Sequence, residues 1–238
     1  MRLHYLQHVA FEGPANIETW ARAQGWEITA TRLFAGESLP DPADIDWLVV
    51  MGGPMNIYED DLYPWLAAEK KFLAQVIALG KVVLGVCLGA QLLADVLGGK
   101  VFRNAYKEIG WHPVRLTPEA AASPVFSTLP ERFTAFHWHG DTFSIPPGAV
   151  LTAFSEACRA QAFEAAGGRV VGLQFHLESS PESAEILVQH CSDELIGGKF
   201  IQDHQTITSN PEGFDAIHAV MIRLLDGMRD ASAASGKA

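Results

Sequence analysis

Two groups of residues in this 238-residue chain carry chemical promise: a cysteine in a glycine-flanked turn and a histidine–glutamate pair far downstream. Val83-Leu84-Gly85-Val86-Cys87-Leu88-Gly89-Ala90-Gln91 sets an apolar run before a Gly-x-Cys-x-Gly turn. This is the thiol counterpart of the Gly-x-Ser-x-Gly nucleophile elbow, a sharp strand-to-helix turn that exposes its central side chain. Such a turn needs glycine on both sides, because a side chain at 85 or 89 would meet neighbouring backbone. A helix starting just after Cys87 would aim its unpaired N–H groups and positive dipole end at the sulfur. That favours a thiolate, and also the oxyanion formed when the thiolate attacks a carbonyl. A buried cysteine can equally be a small apolar filler, and the elbow alone leaves both readings open.

A thiolate needs a proton acceptor, and Gly172-Leu173-Gln174-Phe175-His176-Leu177-Glu178 supplies a candidate at a second strand end. In extended chain, residues two apart face the same way. Glu178 can therefore accept the ring N–H of His176, fix its tautomer and stabilise the imidazolium. An acyl-transfer site also needs donors arranged in advance for the oxyanion. The backbone N–H of Leu88 is one candidate, and that of Gly53, in the turn Gly52-Gly53-Pro54, is a second. His137-x-His139 has the residue types of a metal site, but no third or fourth ligand is spaced near it. A structural role is expected there, with no metal and no other cofactor. Cys158 and Cys191 lack both elbow and base and read as packing residues, while Arg159 reads as a solvated side chain.

The elements that must position these groups alternate in the first half of the chain. Leu3 to Val9 reads as a strand, Ile17 to Gln24 as a helix stopped by Gly25, and Trp26 to Leu33 as a second strand. Trp47 to Met51 and Val82 to Val86 are short continuous apolar runs, as expected of strands buried on both faces. Between them a helix starts near Pro64, carries an apolar stripe through Leu66, Phe72, Leu73, Val76 and Ile77, and ends at Gly80. Gln91 to Leu97 reads as the next helix. This order implies a parallel sheet covered on both sides. Downstream, Trp111–Leu116, Phe133–Trp138, Val150–Ser155, Ala160–Glu164 and Val170–Phe175 read as short strands that extend the sheet with an antiparallel patch. Ser183–Gln189 and Phe214–Leu225 read as helices. One domain over residues 1–229 is expected, followed by a disordered tail over 230–238.

Composition restricts the partners. Hydrophobic residues make up 48% of the chain, and Lys+Arg 17 against Asp+Glu 28 gives a net charge of −11. That balance argues against nucleic acid or an anionic membrane surface as the main partner. No apolar stretch approaches a membrane span, and the N-terminus does not read as a secretory signal. Three cysteines in unrelated contexts form no disulfide framework, so a cytoplasmic location is expected.

The chain resembles the class I (triad) glutamine amidotransferase family. Its elbow is similar to that family's Gly-x-Cys-x-Gly-x-Gln, and Phe175-His176-Leu177-Glu178 is similar to its Phe-His-Pro-Glu. Gly52-Gly53-Pro54 and Trp138-His139-Gly140-Asp141 match two further elements, all in family order. The resemblance implies a flavodoxin-like three-layer α/β/α fold with a mostly parallel central sheet. It also implies a Cys87–His176–Glu178 triad, an oxyanion hole from Gly53 and Leu88, and substrate contacts from Gln91, Trp138, Gly140 and Asp141. Leu177 stands where the family has proline, which should loosen the loop between base and orienter. The implied reaction is hydrolysis of a γ-glutamyl amide through a γ-glutamyl thioester. The substrate is either glutamine, with ammonia passed to a separate synthetase subunit, or a γ-glutamyl peptide. The stretch Trp138 to Phe143 resembles the stand-alone branch that includes γ-glutamyl peptidases. A non-catalytic regulatory relative is a third reading, disfavoured because all three triad residues are present. No phosphate-binding Gly-x-x-x-x-Gly-Lys-Ser/Thr loop occurs, so nothing indicates use of ATP.

Overall fold

The structure, a computed structural model, describes residues 1–235. Nine strands form one sheet in the order β2-β1-β3-β4-β9-β8-β7-β5-β6. Strands β1 (Arg2–Gln7), β2 (Glu27–Arg32), β3 (Trp47–Val50), β4 (Val82–Val86) and β9 (Val170–Leu173) are mutually parallel. Strands β8 (Ala162–Ala165), β7 (Val150–Phe154), β5 (Val101–Leu116) and β6 (Arg132–Phe143) continue the sheet through antiparallel pairings. The central strands read as unbroken apolar runs because both of their faces are covered. Alternate residues feed two separate cores: Val49, Leu84 and Val86 pack into one, Leu48, Val50 and Val83 into the other.

Helices α1 (Asn16–Ala23), α4 (Pro181–Cys191) and α6 (Pro211–Ser235) contribute to the first core, and α2 (Trp65–Ala78) and α3 (Leu88–Val96) to the second. The layers are therefore α/β/α, as the strand–helix alternation implies. A short helix, α5 (His204–Thr208), was not expected from sequence. Several boundaries also differ, three of them with consequences for the site or the core. Helix α3 begins at Leu88, directly after the elbow, rather than at Gln91. Strand β5 reaches back to Val101 across a register shift between Arg103 and Glu108, a polar stretch without alternation.

The third difference corrects the tail. Residues 230–235 continue α6 instead of being disordered, with Ala231 buried. Small residues keep this turn helical and let it approach closely, since a Cβ on Gly168 would stand 3.2 Å from that of Ala231. Residues 236–238, the rest of the expected tail, lie outside the described residues.

Candidate active site

Cys87 directly follows β4 with φ 51° and ψ −106°, a conformation that costs a non-glycine residue energy and is held only by what surrounds it. Its N–H donates to Leu173 O of β9 at 2.7 Å. The flanking glycines are required by space. A Cβ on Gly89 would lie 2.0 Å from Val50 O, and one on Gly85 would lie 2.5 Å from the backbone of Gly89. Cys87 Sγ donates to Trp138 O at 3.7 Å and accepts from Gln174 Nε2 at 3.6 Å. Gln174 Oε1 in turn accepts from Gln91 Nε2 at 3.2 Å, so the elbow glutamine reaches the nucleophile through a second amide.

His176 follows β9, the strand beside β4, and its Nδ1 donates to Glu178 Oε1 at 2.7 Å. Both side chains are almost wholly buried. Burial opposes the imidazolium, yet the Glu178 carboxylate and the Cys87 thiol together hold the His176 pKa well above its usual value. His176 Nε2 is buried and makes no hydrogen bond of standard geometry, leaving it as the ring atom that can exchange a proton with the thiol. Leu177, expected to loosen this loop, packs into the core. Its side chain is fully buried, His176 N–H donates to Phe136 O at 2.8 Å, and Asn16 N–H donates to Glu178 O at 3.2 Å. Apolar burial and two hydrogen bonds to distant segments hold the loop here.

Five of the residues expected at the oxyanion hole and the substrate converge on a cleft of about 150 Å3 that opens on Cys87, whereas Leu88 does not line it. Gly53, Gln91, Trp138, Gly140 and Asp141 all line it. The Asp141 carboxylate accepts from Asn56 Nδ2 at 2.9 Å, tying this strand to the loop that follows Gly53. The backbone N–H groups of Gly53 and Leu88 make no backbone hydrogen bond outside the regular elements, among the described residues. This suits donors reserved for a substrate oxygen.

Several lining residues carry no local sequence signal: Glu12, Arg103, Lys107, Cys191 and Glu194. Glu12 lies in the loop after β1, the kind of position where parallel sheets gather ligand sites. Its Oε2 fills the space a Cβ on Gly52 would need, 2.2 Å away. Burial raises the Glu12 pKa to about 6; His176 and His8 pull it down, while Glu178 and Glu194 push it up. Lys107 Nζ pairs with Glu194 Oε2 at 2.6 Å, and Glu194 Oε1 accepts from Trp138 Nε1 at 3.2 Å. Cys191, read from sequence as packing alone, also borders the cleft. Burial first, then Glu194, Glu12 and Asp193, push its thiol up to about 11.

The histidine pair also has a neighbour that its spacing does not reveal. The β5–β6 pairing sets Glu108 opposite His139, so ligand-type atoms of Glu108, His137 and His139 lie within 4.8 Å of one another. They form a buried hydrogen-bond network. Glu108 Oε2 accepts from Gln161 Nε2 at 2.6 Å and Ser155 Oγ at 3.1 Å, and His139 Nε2 lies 3.2 Å from it. Burial drives the His137 pKa down to about 3 against the pull of Glu108, so the ring stays neutral. Arg159 is exposed and does not line the cleft.

A layered α/β/α sheet with a cysteine elbow at the carboxyl end of one central strand and a His–Glu pair at the next defines a class of acyl-transfer proteins. Residues 16–191 match the family described as glutamine amidotransferase class-I, and the chain belongs to that family. It is 36% identical to the glutamine amidotransferase-like protein YfeJ of Salmonella typhimurium over 85% of this chain and 87% of that one. It is 37% identical to a glutamine-hydrolyzing GMP synthase of Aeropyrum pernix over 63% of this chain, but spans only 27% of that protein's length. A glutamine amidotransferase from Thermotoga maritima superposes with a TM-score of 0.86 at 30% identity, covering 96% of this chain and 97% of that one. One from Methylobacillus flagellatus does so with 0.89 at 26% identity, covering 97% and 94%. No described helix is long and apolar enough to cross a membrane.

Proposed function

We propose that the chain hydrolyses a γ-glutamyl amide, with Cys87 as nucleophile, His176 as base and acid, and Glu178 as orienter. The observation that carries this reading is the strained Cys87 elbow beside a buried His176–Glu178 pair 2.7 Å apart. His176 Nε2 takes the thiol proton, and the sulfur adds to the side-chain amide carbonyl. The N–H groups of Gly53 and Leu88 receive the oxyanion. Collapse breaks the C–N bond as His176 returns its proton to the departing nitrogen, leaving a thioester. Water, deprotonated by His176, then releases glutamate and the thiol. Gln91, Trp138, Gly140 and Asp141 are assigned to the glutamyl end.

Free glutamine is the first substrate of this reading, with ammonia going to a synthetase on a separate chain. A γ-glutamyl peptide is the second, and the cleft gives it specific support. Glutamine's leaving group is ammonia alone, whereas Glu12, Arg103 and the Lys107–Glu194 pair add charged groups that a larger leaving group can use. The test incubates the purified chain with glutamine and a panel of γ-glutamyl peptides, following glutamate release and a mass adduct on Cys87. Cys87→Ala is expected to abolish release and adduct together. Retained turnover in that variant would falsify the reading. Peptide turnover without glutamine turnover selects the peptidase, and glutamine turnover that appears only with an added synthetase selects the amidotransferase subunit.

A further inference from the structure

The peptide unit joining Gly52 to Gly53 is trans, so its carbonyl and its N–H point in opposite directions. Its carbonyl is occupied: Gly52 O accepts from His8 Nδ1 at 3.0 Å. The Gly53 N–H therefore faces away from His8, and Gly53 itself lines the cleft with Cys87. The other ring nitrogen of His8 meets Glu69 Oε1 at 2.9 Å, and both side chains are fully buried. A peptide carbonyl can only accept, so Nδ1 donates to Gly52 O, and with Glu69 ionised Nε2 donates as well and the ring is an imidazolium. Burial works against that charge, while Glu69, the Gly52 carbonyl and Glu12 favour it, and the balance raises the His8 pKa. Glu69 comes from α2 and Glu12 from the loop that carries His8; Trp65, also from α2, packs against the ring with centroids 5.3 Å apart.

We propose that the buried His8–Glu69 pair is the positioning device of the oxyanion hole, holding the Gly52–Gly53 peptide so that the Gly53 N–H is presented to the substrate oxyanion. The pair serves no step of the mechanism directly. A hydrogen bond from a cation into the carbonyl also polarises the peptide and strengthens its N–H as a donor. Glu69 comes from the second turn of α2 and its Oε1 meets His8 Nε2, which explains why an apolar helix stripe contains a fully buried carboxylate. The inference rests on the assignment of Gly53 to the hole.

The test separates acylation from nucleophilicity in the full chain. Thioester formation from a γ-glutamyl anilide passes through an oxyanion, whereas alkylation of Cys87 by iodoacetamide does not. His8→Ala is expected to lower the acylation rate by up to about 100- to 1,000-fold, the usual cost of losing one such donor, with the Cys87 alkylation rate within about twofold. His8→Gln, whose amide can donate to Gly52 O, is expected to recover most of the loss. Because His8→Ala leaves a buried carboxylate without its partner and can unfold the chain, His8→Leu/Glu69→Met removes both groups together and is expected to fold and show the same selective loss. Equal acylation in wild type and the folded double variant overturns the inference, as does a parallel fall in acylation and alkylation. If instead Cys87→Ala still turns over substrate, the assignment of the site fails, and that outcome is distinct from either.

Discussion

At the scale of single residues, the three cysteines differ in what surrounds their sulfur. Cys158 is buried against Thr142 Oγ1 at 3.1 Å, and burial raises its pKa. Cys191 borders the cleft, but its thiol is pushed up to about 11 by burial and nearby carboxylates. Only Cys87 stands at a helix N-terminus with His176 alongside. Reactivity follows the thiolate, so iodoacetamide at pH 8 is expected to label Cys87 at least about tenfold faster than either other cysteine. Peptide mass mapping over time measures this, and comparable rates at Cys191 would contradict it. Cys87, His176 and Glu178 were legible because each lies in a short motif whose spacing has one geometric meaning. Glu12, Lys107 and Glu194 were not, because they reach the cleft from the loop after β1, from strand β5 and from the turn after α4, three segments far apart in the chain.

At the scale of elements, the elbow depends on how closely α3 approaches β3. Gly89 stands against the backbone of Val50, with no room for a methyl group. Gly89→Ala is expected to cost about 1–3 kcal/mol of stability, as overpacked sites generally do, and to lower turnover by displacing Cys87 and the Leu88 N–H. Urea denaturation and the glutamate-release assay measure the two effects. Wild-type values in both would show that the helix does not need this approach. The helix boundary is informative for the same reason. Periodicity placed the start of α3 at Gln91, since Leu88-Gly89-Ala90 shows no amphipathic pattern, whereas the strained turn starts it at Leu88 and brings its first N–H groups to the sulfur. In α6, by contrast, the small residues of 230–235 looked featureless, and only the wall of the core beside Gly168 gives Ala231 something to pack on.

At the scale of the molecule, buried histidines couple the fold to pH in opposite senses. His4 in β1 is 4% exposed, with Nδ1 2.8 Å from Thr29 Oγ1 and Nε2 2.9 Å from Thr31 Oγ1. Burial lowers its pKa from 6.5 to about 4, with Glu37 opposing. The unfolded chain therefore binds a proton near pH 6.5 while the folded chain does not, so this contribution is present above pH 6.5 and lost as pH falls toward 4. His8 and His176, with raised pKa values, contribute in the other sense: fully below pH 6.5, and less as pH rises through their folded values. Comparing wild type with His4→Leu isolates the first effect. Between pH 7 and pH 5 the stability difference should shift by about 2 kcal/mol in favour of the variant, and an unchanged difference would mean that His4 is protonated in the fold.

The sequence by itself determined the layered α/β architecture, the cysteine elbow and the His–Glu pair at the next strand end. Strand runs, an elbow and a His-x-Glu are all local patterns, and local geometry dictates what they form. Only the tertiary structure decided what lies around Cys87. Glu12, Glu108 and the His8–Glu69 pair are brought to their places by strand order and helix packing, contacts across tens of residues that leave no periodic mark in the chain. The charge states of these groups were decided there as well, because each follows from burial and from the neighbours that the fold supplies.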